Sequence, residues 1–259
     1  MDINGSVIVV TGGASGIGRA LARRFAAEGA ACVVVADLDG AGAKKVAAEI
    51  DGRAAELDAS DERSVIELIE TTETEVGPIE LWCGNAGIGG PGGVESPNED
   101  WNRTWDVNVM AHVIAARHLI PRWTQRGSGH LLITASAAGL LTSLGTASYA
   151  ATKHAAVALA EWLAITHGDD GVRVSCLCPQ GVRTAMTALG GSMSTDQVEA
   201  LGMIEPEEVA SVVVEGLSHD RFLILPHPEV VTYEQRRAGD RERWLAGMRK
   251  MQRSLLPSD

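Results

Sequence analysis

The stretch Val7-Ile8-Val9-Val10-Thr11-Gly12-Gly13-Ala14-Ser15-Gly16-Ile17-Gly18 decides the fold. Four β-branched residues in succession read as a strand buried on both faces, since such strands carry continuous apolar runs and no alternation. Beyond the glycines, Ala20, Leu21, Phe25 and Ala26 mark a helix, so strand, glycine turn and helix follow one another. A turn poor in side chains lets the backbone approach a pyrophosphate and present N–H groups together with the positive end of the helix dipole. Gly12, Ser15, Gly16, Ile17 and Gly18 are the candidate contacts. The spacing is GxxxGxG and not GxGxxG, so the turn alone is a weak signal.

Outward from this unit, apolar runs alternate with amphipathic helical patterns to the end of the chain, the mark of parallel strands joined by crossover helices. Strands are expected at Val7–Thr11, Cys32–Ala36, Ala54–Leu57, Glu80–Gly84, Leu131–Ala135, Val172–Leu177 and Phe222–Leu225. Helices are expected at Gly18–Glu28, Ala41–Ile50, Glu62–Val76, Asn98–Arg126, Ala147–His167 and Pro206–Leu217. The fold class is therefore α/β, a Rossmann-type doubly wound parallel sheet of about seven strands with helices on both faces. No linker divides residues 1–259, so one domain is expected, with a lid over 184–205 and a helical extension over 228–253.

Composition narrows the function. The 259 residues are 45% hydrophobic and 22% charged, which suits a packed core and not a disordered chain. No apolar run approaches the length that spans a bilayer, and residues 1–5 have no leader-like pattern, so a cytoplasmic protein with no membrane partner is expected. A net charge of −12 opposes nucleic-acid binding. The C-terminal basic residues, Arg236 to Arg253, are interleaved with Glu234, Asp240 and Glu242 and read as a solvated helix face. Cys32, Cys83, Cys176 and Cys178 and the seven histidines show no metal-ligand spacing, so no metal is expected and the histidines are taken as structural or exposed.

Asp37 directly follows the second strand, nineteen residues beyond Gly18, where a carboxylate can accept hydrogen bonds from a ribose diol and repel a 2′-phosphate. Leu38 and Asp39 follow with no arginine beside them, which favours NAD over NADP. A helix N-cap or turn role competes for Asp37. Ser136 ends the fifth strand at the crevice side, and Tyr149 precedes Lys153 by four residues, which places phenol and ammonium on one helix face. A strand-end or capping serine and an ordinary surface pair are the competing readings.

Thr11 to Gly18, Asn85-Ala86-Gly87, Asn108, Ser136 and Tyr149-Ala150-Ala151-Thr152-Lys153 together resemble the short-chain dehydrogenase/reductase family, over Val7 to about Leu225. The resemblance implies a nicotinamide-dependent oxidoreductase and a homodimer or homotetramer. Tyr149 would be the general acid/base, with its anion favoured by Lys153 and the oxidised nicotinamide ring. Ser136 would hydrogen-bond the reacting oxygen and Lys153 would also hold the nicotinamide ribose. Asn108 would station a water that links Lys153 to solvent, unless its side chain serves only nearby backbone. Asp58 and Ala59 resemble the adenine contacts, although Asp58 could instead cap the next helix. Asn85, Ala86 and Gly87 would lie against the cofactor ribose, and Pro179, Val182 and Thr184 would receive the carboxamide. Two positions depart from the family pattern: Gly84 replaces an asparagine and Gln180 replaces a glycine, which bears on cofactor placement.

The resulting expectation is an NAD-dependent alcohol dehydrogenase or carbonyl reductase acting on an apolar secondary alcohol or ketone. Aliphatic candidates for the substrate wall are Ile88, Val94, Leu140, Leu141, Leu144, Met186, Leu189, Met193 and Met203. A non-catalytic nucleotide-binding sensor or scaffold, and a non-redox lyase or isomerase that retains NAD, are the alternatives.

Overall fold

The computed structural model describes residues 1–189 and 202–255. Its sheet has seven parallel strands among the described residues: β1 (Val7–Thr11), β2 (Cys32–Asp37), β3 (Arg53–Glu56), β4 (Ile79–Gly84), β5 (Gly129–Thr134), β6 (Val172–Leu177) and β7 (Leu223–Ile224). They lie in the order β3-β2-β1-β4-β5-β6-β7. The chain winds one way from β1 to β3 and the other way from β4 onward. That reversal opens a crevice at the carboxyl ends of β1 and β4.

Both faces of the sheet are covered, which is why the strands read as unbroken apolar runs. On one face α1 (Gly16–Ala27), α2 (Gly40–Glu49) and α9 (Pro206–Ser218) pack Leu21, Phe25, Val46 and Val213 onto Ile8, Val10, Leu81 and Leu132. On the other, α3 (Glu62–Glu75), α5 (Ala111–Arg126) and α7 (Ala147–His167) pack Ile69, Leu119, Trp123 and Leu163 onto Val9, Val34, Trp82 and Leu131. Successive strand residues thus enter opposite cores.

The expected helix over Asn98–Arg126 needs correction. It is α4 (Asn98–Trp105), a π-helical turn at Asp106–Met110 and then α5. Asn108 lies inside that turn, where its side chain reaches out to another segment and the helical ladder is widened. The short helix α6 (Ala138–Leu141), directly after the fifth strand, was not expected. Its Leu140 and Leu141 are buried in the core and do not line the crevice, and Val94 is 87% exposed. The expected strand ends shift by up to two residues, and β7 keeps only two residues. Frayed strand ends carry no hydrophobic signal, so periodicity cannot place them.

Of the segment expected as a lid, 190–201 lie outside the described residues, including Met193. The described parts are the short helix α8 (Ala185–Leu189) and a bridge between Val182 and Ile204. The expected C-terminal extension forms two helices, α10 (Glu229–Gly239) and α11 (Arg241–Leu255), separated by Asp240. No helix among the described residues is long and apolar enough to cross a membrane.

Candidate active site

Thr11 holds the switch point together. Its hydroxyl donates to the Cys83 carbonyl at 3.2 Å and accepts from the backbone N–H groups of Asn85 and Ala86 at 3.0 and 3.1 Å. The Asn85 amide donates to the carbonyls of Thr11 and Gly12 at 3.2 and 3.3 Å. These bonds place the Asn85-Ala86-Gly87 turn directly against the glycine turn. The approach leaves no room for side chains: a Cβ on Gly12 would lie 2.9 Å from Ala86 Cα, and one on Gly18 would lie 2.0 Å from the Gly12 carbonyl oxygen. From sequence, Thr11 is the strand end that opens the glycine motif and is not among the candidate contacts.

A cavity of about 770 Å³ runs along the carboxyl ends of the strands. Gly12, Ser15, Gly16 and Ile17 line it from the glycine turn, and Gly18 lies beneath the turn. Asp37 and Leu38 come from the end of β2, and Asp58 and Ala59 from beyond β3. Asn85, Ala86 and Gly87 form the floor at β4. Ser136, Tyr149 and Lys153 line the far half beside Pro179, Val182 and Thr184. Ile88 and Met186 are in the wall as expected, joined by Asn102, Arg103 and Asp106 of the α4 region, which sequence reasoning missed. Arg103 stands far from Asp37 in the chain, so inspection of the residues next to Asp37 could not find it.

The acids settle into distinct local roles. Asp37 accepts from the N–H groups of Ala14 and Asp39 at 3.0 and 2.9 Å, one on each oxygen, so its carboxylate also serves the turn. The N-cap of α2 is Asp39, which accepts from Gly42 N–H at 2.9 Å. Asp58 accepts from the Ser60 N–H and hydroxyl, while Asp61 caps α3 by accepting from Ser64 N–H. Asp58 is therefore not a helix cap.

Ser136, Tyr149 and Lys153 converge. Ser136 Oγ accepts from Ala138 N–H at 3.1 Å and donates to the Pro179 carbonyl at 3.4 Å, which ties the end of β5 to the loop after β6. Lys153 is 4% exposed, so the surface-pair reading does not hold. Its Nζ donates to the Thr134 carbonyl at 2.9 Å and lies 5.6 Å from the centre of the Tyr149 ring. Burial pushes the Tyr149 phenol up, a hydrogen bond with Ser136 pulls it down, and Cys178 adds to the rise. Burial brings the Lys153 ammonium down to about 8, opposed by Cys178 and Cys176.

Asn108 is fully buried behind this wall. Its Oδ1 accepts from Ile88 N–H and its Nδ2 donates to the Ile88 carbonyl, both at 2.9 Å, and Nδ2 also donates to the Thr152 hydroxyl at 3.2 Å. It thus serves backbone twenty positions away and not in its own turn. Gly84 has an equally specific explanation, because a Cβ there would lie 2.6 Å from Nδ1 of the buried His112. Burial, with the Lys153 charge adding to it, lowers His112 to about 3, so the imidazole is neutral.

Gln180 also lines the cavity, and its Oε1 is buried without a hydrogen-bond partner. His227, taken from sequence as structural or exposed, is 3% exposed and holds the loop that carries Gln180. Its Nδ1 accepts from Gln180 N–H at 3.1 Å, and its Nε2 faces the carbonyls of Gly181 and Gly202 at 3.1 and 3.3 Å. Among the described residues no cluster of His, Cys, Asp and Glu could hold a metal ion.

Residues 6–193 match the family model for short chain dehydrogenase. The chain belongs to the short-chain dehydrogenase/reductase family. It is 40% identical to 1-deoxy-11-beta-hydroxypentalenate dehydrogenase of Streptomyces exfoliatus, across 88% of this chain and 86% of that one. It is 37% identical to meso-2,3-butanediol dehydrogenase of Serratia marcescens, across 86% and 92%. Among solved structures, a short chain dehydrogenase/reductase from Burkholderia phymatum in complex with NAD superposes with a TM-score of 0.83 at 30% identity, across 93% and 96%. A 3-ketoacyl-(acyl-carrier-protein) reductase from Brucella melitensis complexed with NADH gives 0.79 at 28% identity, across 86% and 96%. As a short-chain dehydrogenase/reductase, this chain is an oxidoreductase, and the two solved structures named above hold NAD and NADH. The cavity suits such a group in size, in its backbone cradle at the glycine turn and in the Asp37 carboxylate in its wall.

Proposed function

We propose that this chain is an NAD-dependent dehydrogenase or carbonyl reductase that acts on an apolar secondary alcohol or its ketone. The carrying observation is that Ser136, Tyr149 and the buried Lys153 line one cavity, and that this cavity continues to the glycine turn. The two curated relatives whose names specify hydroxylated substrates support the reaction class.

When bound, the nicotinamide supplies the hydride acceptor or donor. Gly12, Ser15, Gly16, Ile17 and Gly18 would hold the pyrophosphate, and Asp37 with Leu38 the adenine ribose. Asp58 and Ala59 would meet the adenine, Asn85, Ala86 and Gly87 the ribose, and Pro179, Val182 and Thr184 the carboxamide. Ser136 donates a hydrogen bond to the reacting oxygen, which is worth most where negative charge develops. Tyr149 takes the alcohol proton in oxidation and returns one in reduction. Lys153 holds the nicotinamide ribose and favours the phenolate once its ammonium turns from Thr134 toward the ring. Asn108 keeps the Ile88 segment in place and stations a water for the Lys153 proton.

The preference for NAD rests on Asp37, whose charge repels a 2′-phosphate. A cytoplasmic homodimer or homotetramer fits the exposed Trp105, Trp162 and Ile165 on the α4 and α7 surfaces. Absorbance at 340 nm, followed with NAD and NADP against a panel of secondary alcohols and ketones, tests the proposal. Turnover with NAD in preference to NADP is expected, and lasting silence with cofactor bound would favour a sensor or a non-redox lyase or isomerase.

A further inference from the structure

We propose that α11 is a dimerisation arm that docks on α7 of a second copy of this chain; this rests on the homo-oligomer reading above and names the elements that make the contact. α11 is amphipathic, with Trp244, Met248 and Met251 at i, i+4 and i+7 on one face and Leu245 beside them. None of residues 241–254 is buried, and Leu245 and Met251 are 42% and 43% exposed. Within the chain α11 packs chiefly against α10, and only Trp244 reaches the edge of the core. A lone helix of fifteen residues is marginal in water, so its apolar face needs a partner.

α7 presents a matching surface. Its exposed Ala158, Trp162 and Ile165 repeat the same i, i+4, i+7 spacing, and Trp162 and Ile165 are 58% and 84% exposed. Charge selects the occupant. α11 carries five cations and one acid in a chain of net charge −12, whereas α7 carries Glu161 and is followed by Asp169 and Asp170, all three exposed. Among the described residues Arg243, Arg249, Lys250 and Arg253 make no ion pair, and neither do Glu161 and Asp169. Two copies of α11 would repel each other, while α11 laid on the acidic end of α7 sets opposite charges around an apolar seam. The fold also sets where the arm starts. Arg237 of α10 donates to Nε2 of His154 at 3.3 Å, and His154 lies one helical turn before Ala158 on α7. α11 therefore leaves the domain beside α7, and a two-fold axis lets each copy place its arm on the other.

The test is sedimentation equilibrium of the full chain over a range of concentrations, with circular dichroism to check that each variant keeps its fold. The native chain is expected to self-associate, and Met248→Glu with Met251→Glu to raise the association Kd by about tenfold or more, the scale of losing interface anchors. Glu161→Lys with Asp169→Lys, and separately Arg249→Glu with Lys250→Glu, should each weaken association, and all four changes together should recover much of the loss. A native monomer overturns the homo-oligomer reading itself. An oligomer whose Kd is unmoved by the α11 changes overturns the arm alone, and charge reversals that add without recovery overturn α7 as the surface that receives it. Native binding to vesicles of mixed phosphatidylserine and phosphatidylcholine that the methionine changes abolish, with self-association unaltered, would assign the helix to a membrane surface and overturn the proposal.

Discussion

Asp37 shows how one carboxylate divides its work. It accepts from Ala14 and Asp39 backbone N–H groups, yet it stays in the wall of the cavity where a ribose would lie. Replacing it with arginine exchanges a group that repels phosphate for one that binds it. Asp37→Arg is expected to shift the ratio of kcat/KM for NADP over NAD by about tenfold to a hundredfold, the range for a hydrogen bond to a charged group. Steady-state kinetics with both cofactors checks this. An unchanged ratio removes Asp37 from cofactor selection, and the ratio is insensitive to any general loss of folded protein. Asp37 was legible because a strand end and a fixed offset from the glycines mark it. His227 was not, because its partners Gln180 and Gly181 lie more than forty positions away and no local pattern announces them.

At the scale of elements, the glycine turn, the strands and the Tyr149–Lys153 helix were readable because each depends on near neighbours: β-branched runs, helical spacing and breakers. The π-helical turn at Asp106–Met110 was hidden, since Asn108 widens the helix to reach Ile88 on another segment. Leu140 and Leu141 misled for a related reason: an aliphatic pair after a strand can line a crevice or enter the core, and only packing decides. The β4–α5 contact gives a direct check on such packing. Gly84→Ala drives a Cβ against the buried His112 ring and is expected to cost about 1–3 kcal/mol, the range for overpacking a core. His112→Ala in the same chain should recover much of that loss. Urea denaturation of the two single variants and the double variant measures the coupling, and simple additivity would contradict the contact.

Across the whole molecule, the buried imidazoles of His112 and His130 set an acid limit. His112 is lowered to about 3, by burial first and the Lys153 charge second. His130 is lowered to about 4, by burial first and then the N-terminal charge and Arg173, against the opposing pull of Asp220. In the unfolded chain both titrate near about 6.5, so below that pH the unfolded state binds more protons. Their neutral burial is thus fully compatible with folding above about pH 6.5. Each group then removes up to about 1.4 kcal/mol of stability per pH unit as the pH falls toward its folded value. Stability from urea melts should drop clearly between pH 6.5 and pH 4.5, before most carboxylates titrate. Equal stability at pH 7 and pH 5 would show that these rings are not held neutral.

The whole arrangement comes to a point at Tyr149, where the sheet, the π-turn and the loop after β6 bring a serine, a lysine and the cofactor cradle to one phenol. The most direct measurement is hydride transfer at 340 nm with NAD and a secondary alcohol, comparing the native chain with Tyr149→Phe while NAD affinity is followed by calorimetry. Loss of turnover by about 100-fold or more, the scale of positioned acid–base catalysis, with NAD affinity largely kept is the expected result. Turnover near the native rate in Tyr149→Phe would contradict the account.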